Sequence, residues 1–236
     1  MNATRFVLVG VSLLAALLLL LSGPGTRLGV WGWSMGFACM KWAMYIGFTV
    51  AALSLVLLLI PKTRGPKPSI LVAALLMGVM AGVPVISLRA QASSLPFIHD
   101  ISTDTRDPPV FVALLAVRKA APNGANYGGP EVAAAQLKGY PNVRPLVLAM
   151  APQQAFTRAL EGAQSMGWQI AAADAAAGRI EATATTFWFG FSDDVIVRIV
   201  AQGSGSRIDV RSVSRVGKSD IGANARRIQE YLAKLT

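Results

Sequence analysis

Residues 6–22 read FVLVGVSLLAALLLLLS, an apolar run rich in leucine. Two further apolar runs follow at residues 36–60 and 69–88, and only Lys41 interrupts the first of these two with a charge. Each run is close to the ~20 residues that a helix needs to cross a hydrocarbon layer of ~30 Å, where it satisfies its own backbone hydrogen bonds. The sequence therefore predicts an anchor of three transmembrane helices within residues 1–90.

The first run has one alternative interpretation, a cleaved signal peptide, because Arg5 precedes it. Its apolar core is longer than the usual signal-peptide core of about 7–15 residues, and no small-x-small cleavage pattern follows it. Gly23-Pro24-Gly25 instead predicts a turn at its end. A transmembrane helix is the favoured interpretation.

The charges are distributed unevenly along the 236 residues. The net charge is +10, yet all 12 acidic residues lie at or after Asp100, so the first 99 residues carry no carboxylate side chain. The basic excess thus belongs largely to a membrane segment with scattered lysines and arginines, followed by a mildly basic domain. This distribution is not typical of a nucleic-acid-binding protein, and no nucleic acid partner is expected.

The basic loop at residues 61–68 predicts the orientation of the anchor. It carries Lys62, Arg64 and Lys67. By the positive-inside rule this loop is cytoplasmic. The N-terminus is then cytoplasmic as well, and residues 91–236 lie outside the cytoplasm, which in a bacterial inner membrane means the periplasm.

Lys41 and the tryptophans near it predict a membrane interface. Trp31, Trp33 and Trp42 lie close to Lys41 in the sequence, and tryptophan is enriched at the level of the lipid headgroups. In the favoured interpretation Lys41 extends its charge to those headgroups. The alternative is a charge inside the membrane, paired with an acidic residue of a partner subunit.

Residues 91–236 are predicted to form one α+β domain after a short linker at residues 91–96. Helices are predicted at residues 110–120, 131–138, 152–166 and 220–235, and strands at 143–150, 168–173, 179–187, 195–201 and 207–214. Asp107-Pro108-Pro109 is typical of a helix start, and Asp220 of a helix N-cap. Short turns join the last four strands, which favours an antiparallel sheet of four to five strands packed by helices on one face.

The sequence contains no complete catalytic motif. His99 is the single histidine, with Ser102 and Asp104 nearby, but closeness in sequence does not make a catalytic triad. The oxygen-rich stretch 99–107 lacks the glycine and the final glutamate of a calcium-binding EF-hand loop, and helix caps and turn hydrogen bonds are the favoured explanation of its Asp, Ser and Thr side chains. Gly217-Lys218-Ser219 lacks the earlier glycine of a phosphate-binding loop. No metal or cofactor is therefore expected.

Charged side chains recur along the last strands. Asp209, Arg211 and Arg215 share one face of a strand by its two-residue period, and Arg198 lies on the neighbouring strand. One interpretation is a solvated sheet face with cross-strand ion pairs. The other is a patch for anionic lipid headgroups or an acidic partner.

Two neighbouring features accompany these charges. Asp193-Asp194 is expected to belong to a turn rather than to a catalytic pair. The run Phe187-Trp188-Phe189-Gly190-Phe191 is unusual for a turn. Some of its rings are expected in the core, and others could contact the membrane or a partner.

The C-terminal part resembles a known family. The resemblance rests on three segments: ATATTFWFGFSDDV at residues 182–195, VRI at 197–199 and IDVRSVSRVGKSDIGANARRI at 208–228. These strings are similar to the bacterial and plastid family called domain of unknown function 1499, over roughly residues 97–235. Many members carry a cysteine near the start of the domain. This chain has IHDISTD at residues 98–104 instead, which excludes a thiol role there.

The resemblance implies no reaction and no catalytic residue. It directs attention to the last hairpin and the final helix, where the binding or clamp candidates are Asp193, Asp194, Arg198, Asp209, Arg211, Arg215, Asp220, Asn224 and Arg227. Arg211 or Arg215 could pair with Asp193, Asp194 or Asp220 and hold the start of the helix against the sheet.

The sequence predicts a non-enzymatic inner-membrane protein. Its periplasmic domain is expected to mediate interactions, as an accessory or stabilising subunit of a membrane complex, and its expected partners are membrane lipids and other membrane-protein subunits. One alternative is a binding module for an anionic lipid or small molecule. A second is an envelope hydrolase that uses His99.

Overall fold

A computed structural model describes the backbone of residues 2–236 and the side chains from Ala3 onward. The chain divides into two compact units. The first comprises Met1–Ser94 together with Phe187–Gly190, and the second comprises Leu95–Thr186 and Phe191–Thr236.

The first unit is a bundle of long apolar helices, as the sequence predicts. They are α1 (Asn2–Arg27), α2 (Trp33–Leu59) and α4 (Ser69–Ser94), with the short α3 (Pro61–Arg64) after α2. The three long helices have the length and composition needed to cross a membrane. Each of them packs against the other two.

Two predicted boundaries in this unit are wrong. Gly23-Pro24-Gly25 lies inside α1, and the chain turns only after Arg27, where Gly29 has a φ of 71°. Apolar helices tolerate an internal proline when neighbouring groups satisfy the freed carbonyl. The linker predicted at residues 91–96 is also largely helical, because α4 continues to Ser94.

Small residues let α2 and α4 approach closely. A Cβ atom built on Gly47 would lie 2.6 Å from the Gly78 carbonyl oxygen, and one built on Gly78 would overlap the Gly47 carbonyl oxygen. Ala43, Ala74 and Ala81 are buried in the same unit. Close packing of backbones is how apolar helices associate without a hydrophobic driving force between them, and it leaves their large side chains facing outward.

The second unit contains an antiparallel sheet and four helices. Its strands are β1 (Asp100–Ser102), β2 (Leu146–Leu148), β3 (Gln169–Asp174), β4 (Arg179–Thr185), β5 (Ser192–Gln202) and β6 (Gly205–Ser214); its helices are α5 (Leu115–Ala120), α6 (Gly129–Gly139), α7 (Pro152–Ser165) and α8 (Ala223–Leu235). The strand order is β1-β6-β5-β4-β3, and β2 also pairs with β6. The fold class is as predicted, with β1 as a strand that the sequence did not indicate.

One face of the sheet is apolar and packs against helices. Ile180, Val197 and Val210 belong to a buried core that also contains Phe156 of α7 and Ile228 of α8. Since strand side chains alternate between faces, the residues between these apolar ones point to the opposite side.

Three predictions about the second unit are wrong because tertiary contacts override local signals. The helix expected from residue 110 begins only at Leu115, because a carboxylate binds the backbone amides before it. Asp193-Asp194 lies inside β5 rather than in a turn. The last helix begins at Ala223 rather than at Asp220, because Ile221 and Gly222 both have positive φ.

Candidate functional site

The second face of the sheet carries charged side chains, yet it is buried. Glu181 and Asp194 are fully buried, Asp209 is 1 % exposed and Arg211 is 2 % exposed. Residues 103–127, called here the cover segment, lie between β1 and α6 and supply partners for Glu181, Asp194 and Arg211. The cover segment is irregular apart from α5.

Asp194 is the most heavily partnered carboxylate on this face. The Arg215 guanidinium donates to it at 2.7 and 3.0 Å, and the Thr183 hydroxyl donates at 2.9 Å. Arg118 Nη1 of the cover segment lies 3.4 Å from Asp194 Oδ2, and both side chains are completely buried. The hydrogen bond to Asp194 raises the pKa of Arg215, so the Arg215 guanidinium stays charged.

Arg118 joins the cover segment to β6. It donates to the Val213 carbonyl at 3.1 Å and to the Gly124 carbonyl, and its guanidinium lies 5.7 Å from the centre of the Phe111 ring. Burial lowers the pKa of Arg118, and the Asp194 charge opposes this effect. A buried arginine of this kind is stable only while its carboxylate partner is present.

Glu181 binds the backbone of the cover segment directly. Its carboxylate accepts the amide N–H groups of Val112, Ala113 and Leu114 at 2.9, 3.0 and 2.8 Å. Arg179 Nε lies 3.2 Å from the same carboxylate. The three amides immediately precede α5, so Glu181 satisfies donors that the start of a helix leaves unpaired.

Arg211 forms a second buried junction. It donates to both carboxylate oxygens of Asp100 at 2.7 and 2.9 Å, in the paired geometry that strengthens such contacts. It also donates to the carbonyls of Pro109 and Ala125, near the two ends of the cover segment.

Two aromatic rings of the cover segment flank Arg211. The Phe111 and Tyr127 ring centres each lie 5.5 Å from its guanidinium carbon. Burial, followed by the Asp100 charge, raises the pKa of Tyr127 to about 12. The Tyr127 side chain therefore stays neutral over the physiological range.

Arg198 and Arg207 form the more exposed rim of this network. Arg198 contacts Asp107 at 2.8 Å and Asp209 at 3.0 Å, while Arg207 contacts Asp104 at 2.7 Å. Burial alone would raise the pKa of Asp104, but the backbone amides of Asp107 and Arg106 and the Arg207 charge lower it overall. These pairs attach the first residues of the cover segment to β5 and β6.

A separate cluster joins α8 to the apolar face. Arg227 contacts Asp193 at 2.6 Å, and Asn224 accepts a hydrogen bond from Ser212 at 2.7 Å and donates to the His99 carbonyl at 3.0 Å. The sequence suggested a clamp of this kind by Arg211 or Arg215, but Arg227 forms it. Arg211 and Arg215 instead bind carboxylates on the other face.

Asp220 prepares the start of α8 without being its first residue. Its carboxylate accepts the amide N–H groups of Gly222 and Asn224 at 2.9 and 2.8 Å. Burial raises the pKa of Asp220, and the two amides partly offset this effect. All nine clamp candidates thus lie in the charged face, its rim or the α8 cluster.

The remaining candidates are placed as follows. The Lys41 side chain is exposed and its Nζ lies 6.0 Å from the Trp42 ring centre; its position at a membrane interface stays a prediction. Trp33 and Trp42 are exposed, and Trp31 Nε1 lies 3.4 Å from the Ser22 carbonyl.

The structure does not assemble the triad considered for His99. The His99 ring lies 3.4 Å from the Lys218 carbonyl, and the Ser102 hydroxyl donates to the backbone carbonyl of Asp104. The Asp104 carboxylate is held by backbone amides and Arg207. Across residues 2–236, no group of three His, Cys, Asp or Glu side chains is placed to hold a metal.

Sequence reasoning missed Arg118 and the role of Glu181. Arg118 lies in a six-residue helix next to the exposed Lys119, and nothing local distinguishes the buried charge from the solvated one. The sequence did contain one signal for Glu181. By the two-residue period of a strand, Glu181 lies on the face opposite to Ile180 and Ala182, which is the face that carries the buried charges.

The network also determines what the cover segment presents to the outside. With Phe111, Leu114 and Arg118 turned inward, Val110, Val112 and Val117 remain 68 %, 55 % and 41 % exposed. The arrangement therefore attaches an irregular segment to the sheet at several points and leaves three of its valine side chains exposed.

Comparison with known proteins gives one family and one solved structure to report. The family model described as "Protein of unknown function (DUF1499)" matches residues 100–235. A crystal structure of TTHA0849 from Thermus thermophilus is 12 % identical and covers 38 % of this chain and 84 % of its own, with a TM-score of 0.22, a likeness too low to support an argument. A search of curated proteins found no match.

Replacing Arg118 tests the buried junction. We expect Arg118→Ala to lower the free energy of unfolding of the second unit by about 3–5 kcal/mol, because it leaves part of the Asp194 charge buried without its partner. Lys119→Ala, one residue away and exposed, is the matched control and should change it by less than about 0.5 kcal/mol. Urea unfolding of the full chain in mild detergent measures both, and equal effects of the two variants would contradict the role of Arg118.

Replacing Glu181 tests how the cover segment is held. Glu181→Gln keeps the shape but removes the charge and one acceptor, so the amides of Val112, Ala113 and Leu114 should exchange hydrogen roughly tenfold to a hundredfold faster. The exposed Glu131→Gln serves as control. Hydrogen exchange read peptide by peptide should show no change in α8, and an increase spread evenly over the second unit would argue against a local role.

Proposed function

The chain belongs to the DUF1499 family, whose function is unknown, and we propose that it is a non-enzymatic membrane-anchored protein that binds another protein subunit through the outer side of its cover segment. It would act as an accessory or stabilising subunit of a membrane complex. The observation that carries this proposal is that a buried charge network attaches the cover segment while its side chains Val110, Val112 and Val117 stay exposed.

The candidate arginines for ligand binding are already paired within the chain, which favours a binding surface made of apolar side chains. Arg198, Arg211 and Arg215 were the candidates for an anionic lipid or small molecule, and each is paired with a carboxylate of the same chain. An anionic ligand would have to compete with those carboxylates, which are buried where the ion pair is hard to break. His99, the candidate of a hydrolase, contacts a backbone carbonyl.

The outer side of the cover segment has the features of an interface. Single exposed apolar residues are ordinary, whereas an apolar row on one short segment is typical of interaction sites. The segment is attached through Glu181, Asp194 and Arg211, so its shape is set before any partner binds. Such preorganisation lowers the entropy cost of association.

A matched pair of valines tests this surface. Val117 and Val200 are both 41 % exposed, but only Val117 lies on the cover segment. We expect Val117→Lys to lower the amount of the subunit that co-purifies from native membranes by about tenfold. A charge at the centre of an apolar contact weakens binding by about 1.4 kcal/mol or more. Val200→Lys should leave the amount unchanged.

The negative outcomes of this test are distinct. Equal retention of the subunit by both variants would exclude the cover segment as its binding surface. A wild-type chain that elutes alone, with no subunit crosslinked to a photoreactive residue at position 117, would remove the accessory-subunit proposal itself.

We also propose that the second unit lies outside the cytoplasm of a bacterial inner membrane. Arg5 in α1 donates to the Thr63 carbonyl at 3.0 Å, so the start of α1 and the basic loop containing Lys62 and Arg64 meet at one end of the bundle. Both would be cytoplasmic by the positive-inside rule. An odd number of spans then puts the second unit on the opposite side.

Cysteine labelling in intact cells tests this orientation. In a Cys39→Ala background, Ser204→Cys should react with a membrane-impermeant maleimide, because residue 204 is an exposed position of the second unit. Pro66→Cys, exposed in the basic loop, should react only after the cells are opened. The opposite pattern would overturn the orientation.

A further inference from the structure

The tip of the β4–β5 hairpin, Phe187–Gly190, groups with the first unit rather than with the strands that it connects. Trp188 Nε1 lies 3.4 Å from the Ser22 hydroxyl of α1, and the Phe189 and Phe37 ring centres are 5.0 Å apart. Arg27 Nη1 donates to the Phe187 carbonyl at 2.5 Å. The tip is thus attached to the end of the bundle where α1 ends and α2 begins.

Glycines on the two helices make room for the tip. A Cβ atom on Gly23 would overlap the Trp188 ring, and one on Gly36 would lie 2.9 Å from the Phe189 ring. Larger residues at either position would displace these rings. Gly23 of α1 and Gly36 of α2 therefore provide the space that the two rings of the tip occupy.

The Phe187 side chain stays largely free of protein contacts, apart from a cation–π contact with Arg27. It is 85 % exposed, and Arg27 lies 5.9 Å from its ring centre. Three neighbouring apolar side chains at the same end of the bundle are also exposed: Leu28, Val30 and Trp33. Exposed aromatic and apolar groups beside a single arginine are the composition found where a membrane protein meets the headgroup layer.

We propose that Phe187 is a membrane-interface anchor that inserts into the headgroup layer on the non-cytoplasmic side. This proposal rests on the proposed membrane anchoring of the first unit. The occupant is lipid rather than protein, because Phe187 is attached through Arg27 to the end of α1, a helix long and apolar enough to cross a membrane. Leu20 and Leu21 of the same helix are also exposed and would face the hydrocarbon. The interfacial layer is about 5–8 Å thick on each side, which suits one ring at the end of a helix pair.

Nitroxide labelling of the full chain in vesicles of phosphatidylcholine and phosphatidylglycerol tests the anchor. In a Cys39→Ala background, single labels replace Phe187, Ser204 and Leu20, and their collisions with oxygen and with a water-soluble nickel complex are measured by power saturation. Since Phe187 is exposed, Phe187→Cys should fold, and the apolar label itself replaces the ring. Ser204 is the matched control at the exposed turn of the other hairpin.

The expected order of depth is Leu20, then Phe187, then Ser204. The label at 187 should collide with the nickel complex several-fold less often than the label at 204, and with oxygen more often. Equal values at 187 and 204 with Leu20 still protected would overturn the interface anchor alone. Exposure of the Leu20 label to the nickel complex would instead refute membrane anchoring of the first unit.

Discussion

The buried contact of Asp194 with Arg118 and Arg215 is the constraint on which the second unit depends. A fully buried carboxylate in the middle of a five-strand path is tolerated only if cations and hydrogen-bond donors surround it. Arg215 follows β6, but Arg118 comes from a segment 76 positions before Asp194 in the chain. The sheet therefore cannot be completed without the cover segment.

The two faces of the sheet are stabilised by different interactions when they are buried. The apolar face is covered by α7 and α8, which pack apolar side chains against it, and one polar cluster on α8 adds to this packing. The charged face requires specific partners in fixed positions, and an irregular chain can place carbonyls, amides and guanidinium groups with more freedom than a helix. Glu181 shows this plainly, since it binds three consecutive backbone amides rather than side chains.

The same physics separates structural from functional charge in this protein. Arginines that the sequence offers as a ligand patch are occupied within the chain, and the surface that stays open on the cover segment is apolar. In the first unit, small residues rather than charges make the internal contacts. Gly47 and Gly78 bring the backbones of α2 and α4 together, and the large apolar side chains face outward. In both units, then, glycines or charged residues make the internal contacts while apolar side chains stay exposed.

The sequence by itself determined the three apolar helices, the α+β class and the alternation of the strands, because these follow from run length and from periods of two and 3.6 residues. Only the tertiary structure decided which charges are buried. Arg118 and Lys119 are neighbours with the same local signals, and the position of Asp194 across the sheet makes one of them internal. It also decided that Leu115 rather than Val110 begins α5, and that Asp193 and Asp194 extend a strand, since an ion pair or a capped amide far away in the chain outweighs the weak preferences of a turn or a helix start.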